Sequence, residues 1–203
     1  MKDGEADVKR IASLRVAHAV SVLTFPPLIA LPVFLVLDVW LAGSGSRFLI
    51  GAAAVAFGVA WPIAVSGLLI SRRPQPGVEG PRERLTLLGL GALGYAVGVG
   101  ALVVIDSPSL VTLLMFCYAT NTAVMFAINV YWKASVHAMG IAGPTMALVF
   151  GFGALGALLS LLLPLVGWSR IRLRVHTPSQ VVVGALLGFV LTGTQIALGL
   201  RFF

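Results

Sequence analysis

The sequence has few charged residues and a single cysteine. Only 10% of its 203 residues are Asp, Glu, Lys or Arg, whereas soluble globular proteins carry about a quarter. A water-soluble globular domain is therefore excluded, and the apolar residues are too numerous and too evenly spread for a disordered chain. Cys117 has no partner for an internal disulfide. These absences leave a chain suited to a lipid bilayer.

Acidic residues and histidines are also scarce. The chain has 7 Asp and Glu and 3 His, and no histidine lies near a carboxylate cluster of the kind that holds a metal ion. We therefore expect no metal and no other cofactor. The net charge is +7, but the Lys and Arg residues lie in short stretches between apolar runs. We interpret them as determinants of membrane topology, and no nucleic-acid partner is expected.

Apolar runs long enough to cross a bilayer fill most of the chain. A transmembrane helix needs about 20 mostly apolar residues. Residues 1–15 carry mixed charge and predict a cytosolic lead-in without the cleavage site of a signal peptide, and residues 16–203 predict one transmembrane domain. The apolar runs are 16–41, 48–70, 85–105, 110–132, 138–168 and 177–202.

The fifth run, 138–168, could be one long tilted helix or two short helices that turn at 151–153. A hairpin leaves every Lys and Arg on one face of the membrane except Arg47 and Arg201. Since basic residues concentrate in cytoplasmic loops, the hairpin is the better interpretation. The sequence thus predicts an all-α integral membrane protein, a bundle of six to seven transmembrane segments with cytoplasmic basic loops.

Three basic stretches converge on that predicted face: 72–84, 133–137 and 169–176. The last two flank the hairpin and each contains a histidine, so the hairpin brings them together. Arginine can donate two hydrogen bonds to phosphate oxygens, and a helix N-terminus adds backbone N–H donors. One imidazole could attack phosphorus while the other protonates the leaving oxygen. Alternating arginines alone would equally indicate snorkelling or contact with anionic headgroups.

These residues resemble the type 2 phosphatidic acid phosphatase (PAP2) superfamily. That family's second motif reads Pro-Ser-Gly-His, and its third reads Ser-Arg-x5-His-x3-Asp. The likeness covers residues 133–188, about the C-terminal third of the chain. The residues that carry it are Lys133-x-Ser135-x-His137 and Ser169-Arg170-x5-His176-x3-Gln180-x3-Gly184-x3-Gly188.

The resemblance implies a metal-independent phosphatase with a PAP2-like core, acting on a lipid phosphate or an isoprenoid diphosphate through a phosphohistidine. His176 would be the nucleophile, His137 the general acid, and Gln180 the partner of the His176 ring. The substrate would lie in the bilayer with its headgroup at the cytoplasmic face. Phosphate oxygens would be held by a group of cations and one hydroxyl: Arg170, Ser135, Lys133, Arg84 and Arg82.

Three departures from the family pattern matter. The family's Asp is Gln180 here, which can accept a hydrogen bond from the ring but brings no charge, and the Gly before the second-motif histidine is Val136. The first motif, Lys-x6-Arg-Pro, is absent, so we expect Arg82 or preferably Arg84 to supply its cation. Two alternatives follow: a weakened relative that binds anionic lipid headgroups without turnover, and a small transporter.

Overall fold

The computed structural model describes residues 2–43, 45–70 and 80–202 of the chain. Within them the structure is 87% helix and has no strand. The α-helices are α1 (Lys2–Leu23), α2 (Pro26–Leu41), α3 (Arg47–Val55), α4 (Trp61–Ile70), α5 (Pro81–Val104), α6 (Ser109–Tyr131), α7 (Val136–Phe152), α8 (Leu162–Arg172) and α9 (Pro178–Gly199). A π-helical turn, Ala56–Ala60, joins α3 to α4, and a 3-10 segment, Gly153–Leu161, joins α7 to α8.

Several of these helices could span a membrane. Five described stretches are long and apolar enough to cross a bilayer, and the bent pair α1–α2 makes a sixth if it counts as one span. The all-helical membrane-type bundle predicted from the sequence is therefore confirmed at this level. With the bent pair counted as one span the total is six, the lower end of the predicted six to seven, because the stretch Val136–Arg172 counts as one candidate span.

The first apolar run, 16–41, is divided between two helices at Pro26 and Pro27, two of the prolines that interrupt it in the sequence. α1 begins at Lys2, passes residue 15 without a break and ends at Leu23, where the axis bends by 42° into α2. Pro26 and Pro27 open α2, a place where proline fits because the first N–H groups of a helix lack intrahelical acceptors anyway. Continuing α1 through them would lose backbone hydrogen bonds.

The stretch Val136–Arg172 folds back on itself, as predicted. Gly153 has φ +61°, which favours glycine. The 3-10 segment then returns along α7 so closely that a Cβ on Gly156 would lie 2.2 Å from the Leu148 carbonyl carbon. The chain therefore runs along α7 into the bundle and returns along α8, so that the end of α8 lies near the start of α7.

α7 and α9 pack with almost no space between their backbones. A Cβ on Gly184 would lie 2.3 Å from the Ser135 carbonyl oxygen, and one on Gly188 would lie 2.7 Å from the Ala142 Cβ. The Ser135 N–H donates to the Gln180 carbonyl at 3.0 Å. The small residues spaced four apart on α9 thus let the loop before α7 rest directly on α9.

Candidate functional site

The stretches 133–137 and 169–176, each of which contains a histidine, meet at one place in the bundle. The His176 side chain interacts electrostatically with Arg170 and Lys133, and His137 interacts with Arg170 and His176. The hairpin is what joins them, because 33 residues separate His137 from Arg170 in the sequence. The structure thus brings together four of the residues singled out from the sequence.

The turn after α8 fixes where His176 lies. The Val175 N–H donates to the Arg170 carbonyl at 3.1 Å and the Arg174 N–H donates to the Ile171 carbonyl at 2.9 Å, which is the Schellman pattern of a helix C-terminus. Arg174 occupies the left-handed position of this turn, with φ +56°. That position usually belongs to glycine, because a Cβ there is strained. The turn places His176 immediately beside Arg170.

Gln180 holds the His176 ring in one orientation. Thr177 caps α9, and its N–H donates to Gln180 Oε1 at 3.0 Å, while His176 Nδ1 lies 3.3 Å from the same oxygen. A backbone N–H can only donate, so the atom that it contacts must be the amide oxygen. Nδ1 must then carry the proton of the neutral ring, so that the lone pair of the neutral ring lies on Nε2.

The surroundings of His176 favour the neutral ring. Burial is the largest cause, and the positive charges of Arg170 and Lys133 add to it, so that the pKa of His176 falls from 6.5 to about 4. Hydrogen bonds with Gln180 and with the Lys133 backbone oppose this fall. Because burial and the two positive charges outweigh these hydrogen bonds, the neutral ring is the favoured form at neutral pH.

His137 lies in the first turn of α7, close to the bend between α1 and α2. Its ring donates to the Ser21 backbone carbonyl, and its centroid lies 6.1 Å from that of the Phe25 ring at an interplanar angle of 48°. The last turn of α1 and the residue before Pro26 therefore form one wall of the site.

Arg170 is half-buried and its guanidinium is already oriented. Its Nη1 donates to the Ser21 hydroxyl, and the preceding residue, Ser169, donates from Oγ to the Ala17 carbonyl at 2.7 Å. Two residues further along, Arg172 donates from Nε to Ser13 Oγ at 3.0 Å. Ser13, Ala17 and Ser21 are spaced four residues apart, so one face of α1 runs along the end of α8.

Ser135 and Lys133 belong to the short loop before α7. Ser135 is fully buried and is the N-cap of α7, where its hydroxyl accepts from the Ala138 N–H at 3.4 Å. Lys133 is half-buried and acts on His176 through its charge and its backbone. Ser135 therefore contributes mainly by ordering the N-terminal turn that carries His137.

The two arginines expected to replace the missing first motif differ in position. Arg84 is half-buried, and its Nη2 donates to the Asn129 carbonyl at 3.3 Å, near the end of α6 that leads to Lys133. Its Nε is buried and has no hydrogen-bond partner in the described part of the chain. Arg82 is exposed. Arg84 is thus the arginine that turns inward, and residues 71–79 of the basic stretch 72–84 lie outside the described residues.

Sequence reasoning missed two residues that order the site. Thr177 could have been found, because Thr-x-x-Gln is the signature of a capping box at a helix start. Ser21 could not, since nothing local marks a serine in an apolar run as the partner of Arg170 and His137, which follow it by more than a hundred residues.

No protein-family model, curated protein or solved structure matches the chain. Within residues 9–202, apart from the undescribed stretches, no group of three or more His, Cys, Asp or Glu side chains could hold a metal ion.

Proposed function

We propose that the protein is a membrane phosphatase that hydrolyses a lipid phosphate or an isoprenoid diphosphate through a phosphohistidine on His176, without a metal ion. The observation that carries this proposal is the His176 ring itself. Gln180 and the Thr177 N–H together fix its Nδ1 as the protonated nitrogen, and Arg170, Lys133 and His137 surround it. The PAP2-like motifs of the sequence support the same chemistry.

In the first step, the Nε2 lone pair of His176 attacks phosphorus and the bond from phosphorus to the lipid oxygen breaks. His137 donates a proton to that oxygen, so that the lipid leaves as a neutral alcohol or, from a diphosphate, as a monophosphate. Arg170 and Lys133 bind the phosphate oxygens as charge develops on them. The developing positive charge on the His176 ring is met by the Gln180 oxygen at Nδ1.

In the second step, water attacks the phosphohistidine and the bond from nitrogen to phosphorus breaks. His137, now without the proton it gave up, accepts a proton from the water. Inorganic phosphate is released, and both histidines return to their initial states. A bound phosphate also brings negative charge beside Arg170 and Lys133, which favours a proton on His137 at the moment when the leaving oxygen needs one.

Gln180 contacts the His176 ring without a negative charge, unlike the carboxylate that often occupies such a position. In a serine-protease triad, exchanging the buried Asp for its amide lowers the rate about ten-thousandfold, chiefly because the histidine takes the wrong tautomer. Here the Thr177 N–H prevents that error by holding the amide oxygen toward the ring. We therefore expect Gln180 to support turnover, with less stabilisation of the charged ring than an Asp would give.

We place the active site at the cytoplasmic face, because the basic loops predict that side. The second candidate function is headgroup binding without turnover. It is favoured by one observation, the absence of negative charge at Gln180, since the imidazolium that attack on phosphorus creates is then stabilised less than a carboxylate would stabilise it. The third, a small transporter, has no carboxylate relay in the bilayer core to support it.

The test is release of inorganic phosphate from a panel of lipid monophosphates and prenyl diphosphates in detergent with EDTA present. Wild type is expected to turn over at least one substrate. His176→Ala should lower kcat by about 10⁴-fold or more, since the nucleophile is lost. His18→Ala is the matched control, because His18 is exposed on α1, and it should retain wild-type activity. Tight binding of lipid phosphate with no turnover in any variant would favour the second candidate.

A further inference from the structure

A basic surface lies where the first half of α1 meets the end of α8. We call it the α1–α8 basic surface and define it by Arg10, Arg172 and Arg174. Arg10 and Arg174 are exposed, and Arg172 is half-buried. Ser13, which contacts Arg172, lies two helical turns before Ser21 of the proposed active site, about 12 Å along the helix. The basic surface is therefore separate from that site.

α1 orients the Arg172 guanidinium without using all of its donors. The Nε and Nη2 groups both donate to Ser13 Oγ, the first at 3.0 Å. Ser13 in turn donates to the Arg10 carbonyl at 2.9 Å, so that Arg10 lies one turn away on the same helix. Since a guanidinium has five N–H donors, the others can bind an anion while α1 holds the group in place.

The carboxylates whose side chains the structure describes do not balance these charges. Asp38 lies near the end of α2 and Asp106 follows α5, so both are at the opposite end of the bundle. Glu83 is in the first turn of α5 and accepts from the Gly80 N–H at 3.3 Å. Clusters of cations beside a membrane-spanning helix attract anionic lipid headgroups.

Arg174 occupies a strained backbone position although its side chain is exposed. Its φ is +56°, in the region that glycine enters without a steric penalty. A strained position that retains a long charged side chain indicates that the side chain has a function there. What Arg174 adds is a third cation, two residues after Arg172.

Exposed apolar side chains accompany the cations. Trp168 and Ile171 on α8 are 40% and 41% exposed, and Ile11 and Val16 on α1 are 51% and 54% exposed. Tryptophan near a helix end is typical of the membrane–water interface. A soluble anion would contact only the arginines, whereas a lipid would contact the arginines with its headgroup and the apolar side chains with its chains. The surface therefore fits a lipid better than free phosphate.

We infer that the α1–α8 basic surface binds an anionic phospholipid of the surrounding bilayer as a ligand that is not hydrolysed. Its headgroup phosphate accepts from Arg172, and Arg10 and Arg174 add positive charge. The bound lipid joins α1 to α8 and so stabilises their contact. The inference goes beyond the proposed phosphatase function and does not rest on it, because the phosphodiester of a lipid such as phosphatidylglycerol has no terminal phosphate.

The experiment follows thermal unfolding in detergent while phosphatidylglycerol replaces phosphatidylcholine at constant total lipid. The apparent affinity is the mole fraction of phosphatidylglycerol that gives half of the rise in Tm. Arg10→Gln and Arg172→Gln should each weaken this affinity about fivefold, as expected for one cation near a headgroup. Arg201→Gln is the matched control, because it removes the same charge from an exposed residue beyond α9, and it should keep the wild-type affinity.

Two further variants separate lipid binding from stability and from hydrolysis. Arg174→Gly removes both the backbone strain and the charge, so its Tm in phosphatidylcholine should rise while its affinity for phosphatidylglycerol falls about fivefold. His176→Ala should keep the wild-type response to the lipid, since that response needs no turnover.

Four outcomes would overturn the inference. They are equal Tm in the two lipids, unchanged affinity in the variants of Arg10, Arg172 and Arg174, an equal loss of affinity in Arg201→Gln, and loss of the response in His176→Ala. The third would mean that the lipid responds to net charge alone, and the fourth would place the lipid at the proposed active site. The same rise in Tm with inorganic phosphate would overturn the choice of a lipid as the ligand.

Discussion

At the residue scale, the chemistry depends on which nitrogen of His176 holds a proton. The capping box of α9 determines this nitrogen, because the contacts between Thr177 and Gln180 that begin the helix also fix the Gln180 side chain. The residue that orients the nucleophile is thus also the residue that caps the helix. The local fold and the proposed chemistry therefore depend on one side chain, Gln180.

The pH dependence of the reaction tests the environment of His176. The ring must lose its proton before it attacks, and its pKa is lowered to about 4, so kcat/KM should rise with pH through about 4 and not through 6.5. In Gln180→Asp the carboxylate favours the charged ring, and the rise should move to higher pH by one unit or more.

The measurement is a pH–rate profile of both proteins with one substrate, so that ionisation of the substrate is common to the two curves. A wild-type inflection at the ordinary histidine value, or identical curves for the two proteins, would contradict this reading of the site.

The leaving-group role of His137 makes a separate prediction. His137→Ala should lower hydrolysis of a lipid phosphate by about 10²–10⁴-fold, because the alkoxide then leaves without a proton. An aryl phosphate whose phenolate leaves readily should lose far less. The two substrates are compared by kcat/KM, and an equal loss on both would assign His137 a binding role instead.

At the element scale, the turn between α8 and α9 carries a strained residue. Arg174 has φ +56° in a position that glycine adopts without cost. Arg174→Gly should therefore raise the free energy of unfolding by about 1 kcal/mol. Thermal or chemical unfolding in detergent measures the change, with the exposed Arg82→Gly at the start of α5 as a comparison expected to lose stability. A destabilised Arg174→Gly would mean that the side chain makes contacts outweighing the strain.

At the contact between α9 and the loop before α7, we expect a substitution to lower the stability. Gly184→Ala would place a Cβ 2.3 Å from the Ser135 carbonyl oxygen, so the loop must shift away from α9. We expect lower thermal stability and a large loss of activity, since Ser135 caps the turn that carries His137. Gly67→Ala is the control, because a Cβ there meets nothing within 4 Å. Unchanged activity in Gly184→Ala would show that the position of this loop is not critical.

At the scale of the whole molecule, α1 is the element that closes the site. Its face of Ser13, Ala17 and Ser21 contacts the end of α8, and Ser21 contacts both Arg170 and His137. Ser21→Ala should lower kcat/KM by about ten- to a hundredfold through misplacement of Arg170, because a hydrogen bond to a charged group contributes about 1.5–3 kcal/mol. Ser13→Ala removes the equivalent contact to Arg172 and should leave kcat/KM near wild type. Equal effects would mean that α1 acts only by general packing.

The sequence predicts more of the site than of the first helices. The hairpin followed from the sidedness of Lys and Arg, and the reach of Gln180 toward His176 followed from a spacing of four residues on a helix. The continuation of α1 from Lys2 past residue 15 was missed, because the mixed charge of residues 1–15 separates them from the apolar run without showing where the helix begins. The contacts of Ser21 join residues far apart in the chain, and no local pattern encodes such contacts.

The central claim is that phosphate is transferred to His176. The most direct test mixes the protein with a lipid phosphate labelled at phosphorus, stops the reaction in alkali within one turnover and maps the label. The account predicts an acid-labile, alkali-stable label on the peptide that contains His176, present in His18→Ala and absent from His176→Ala. Turnover without a labelled peptide, with activity that survives in His176→Ala, would contradict it.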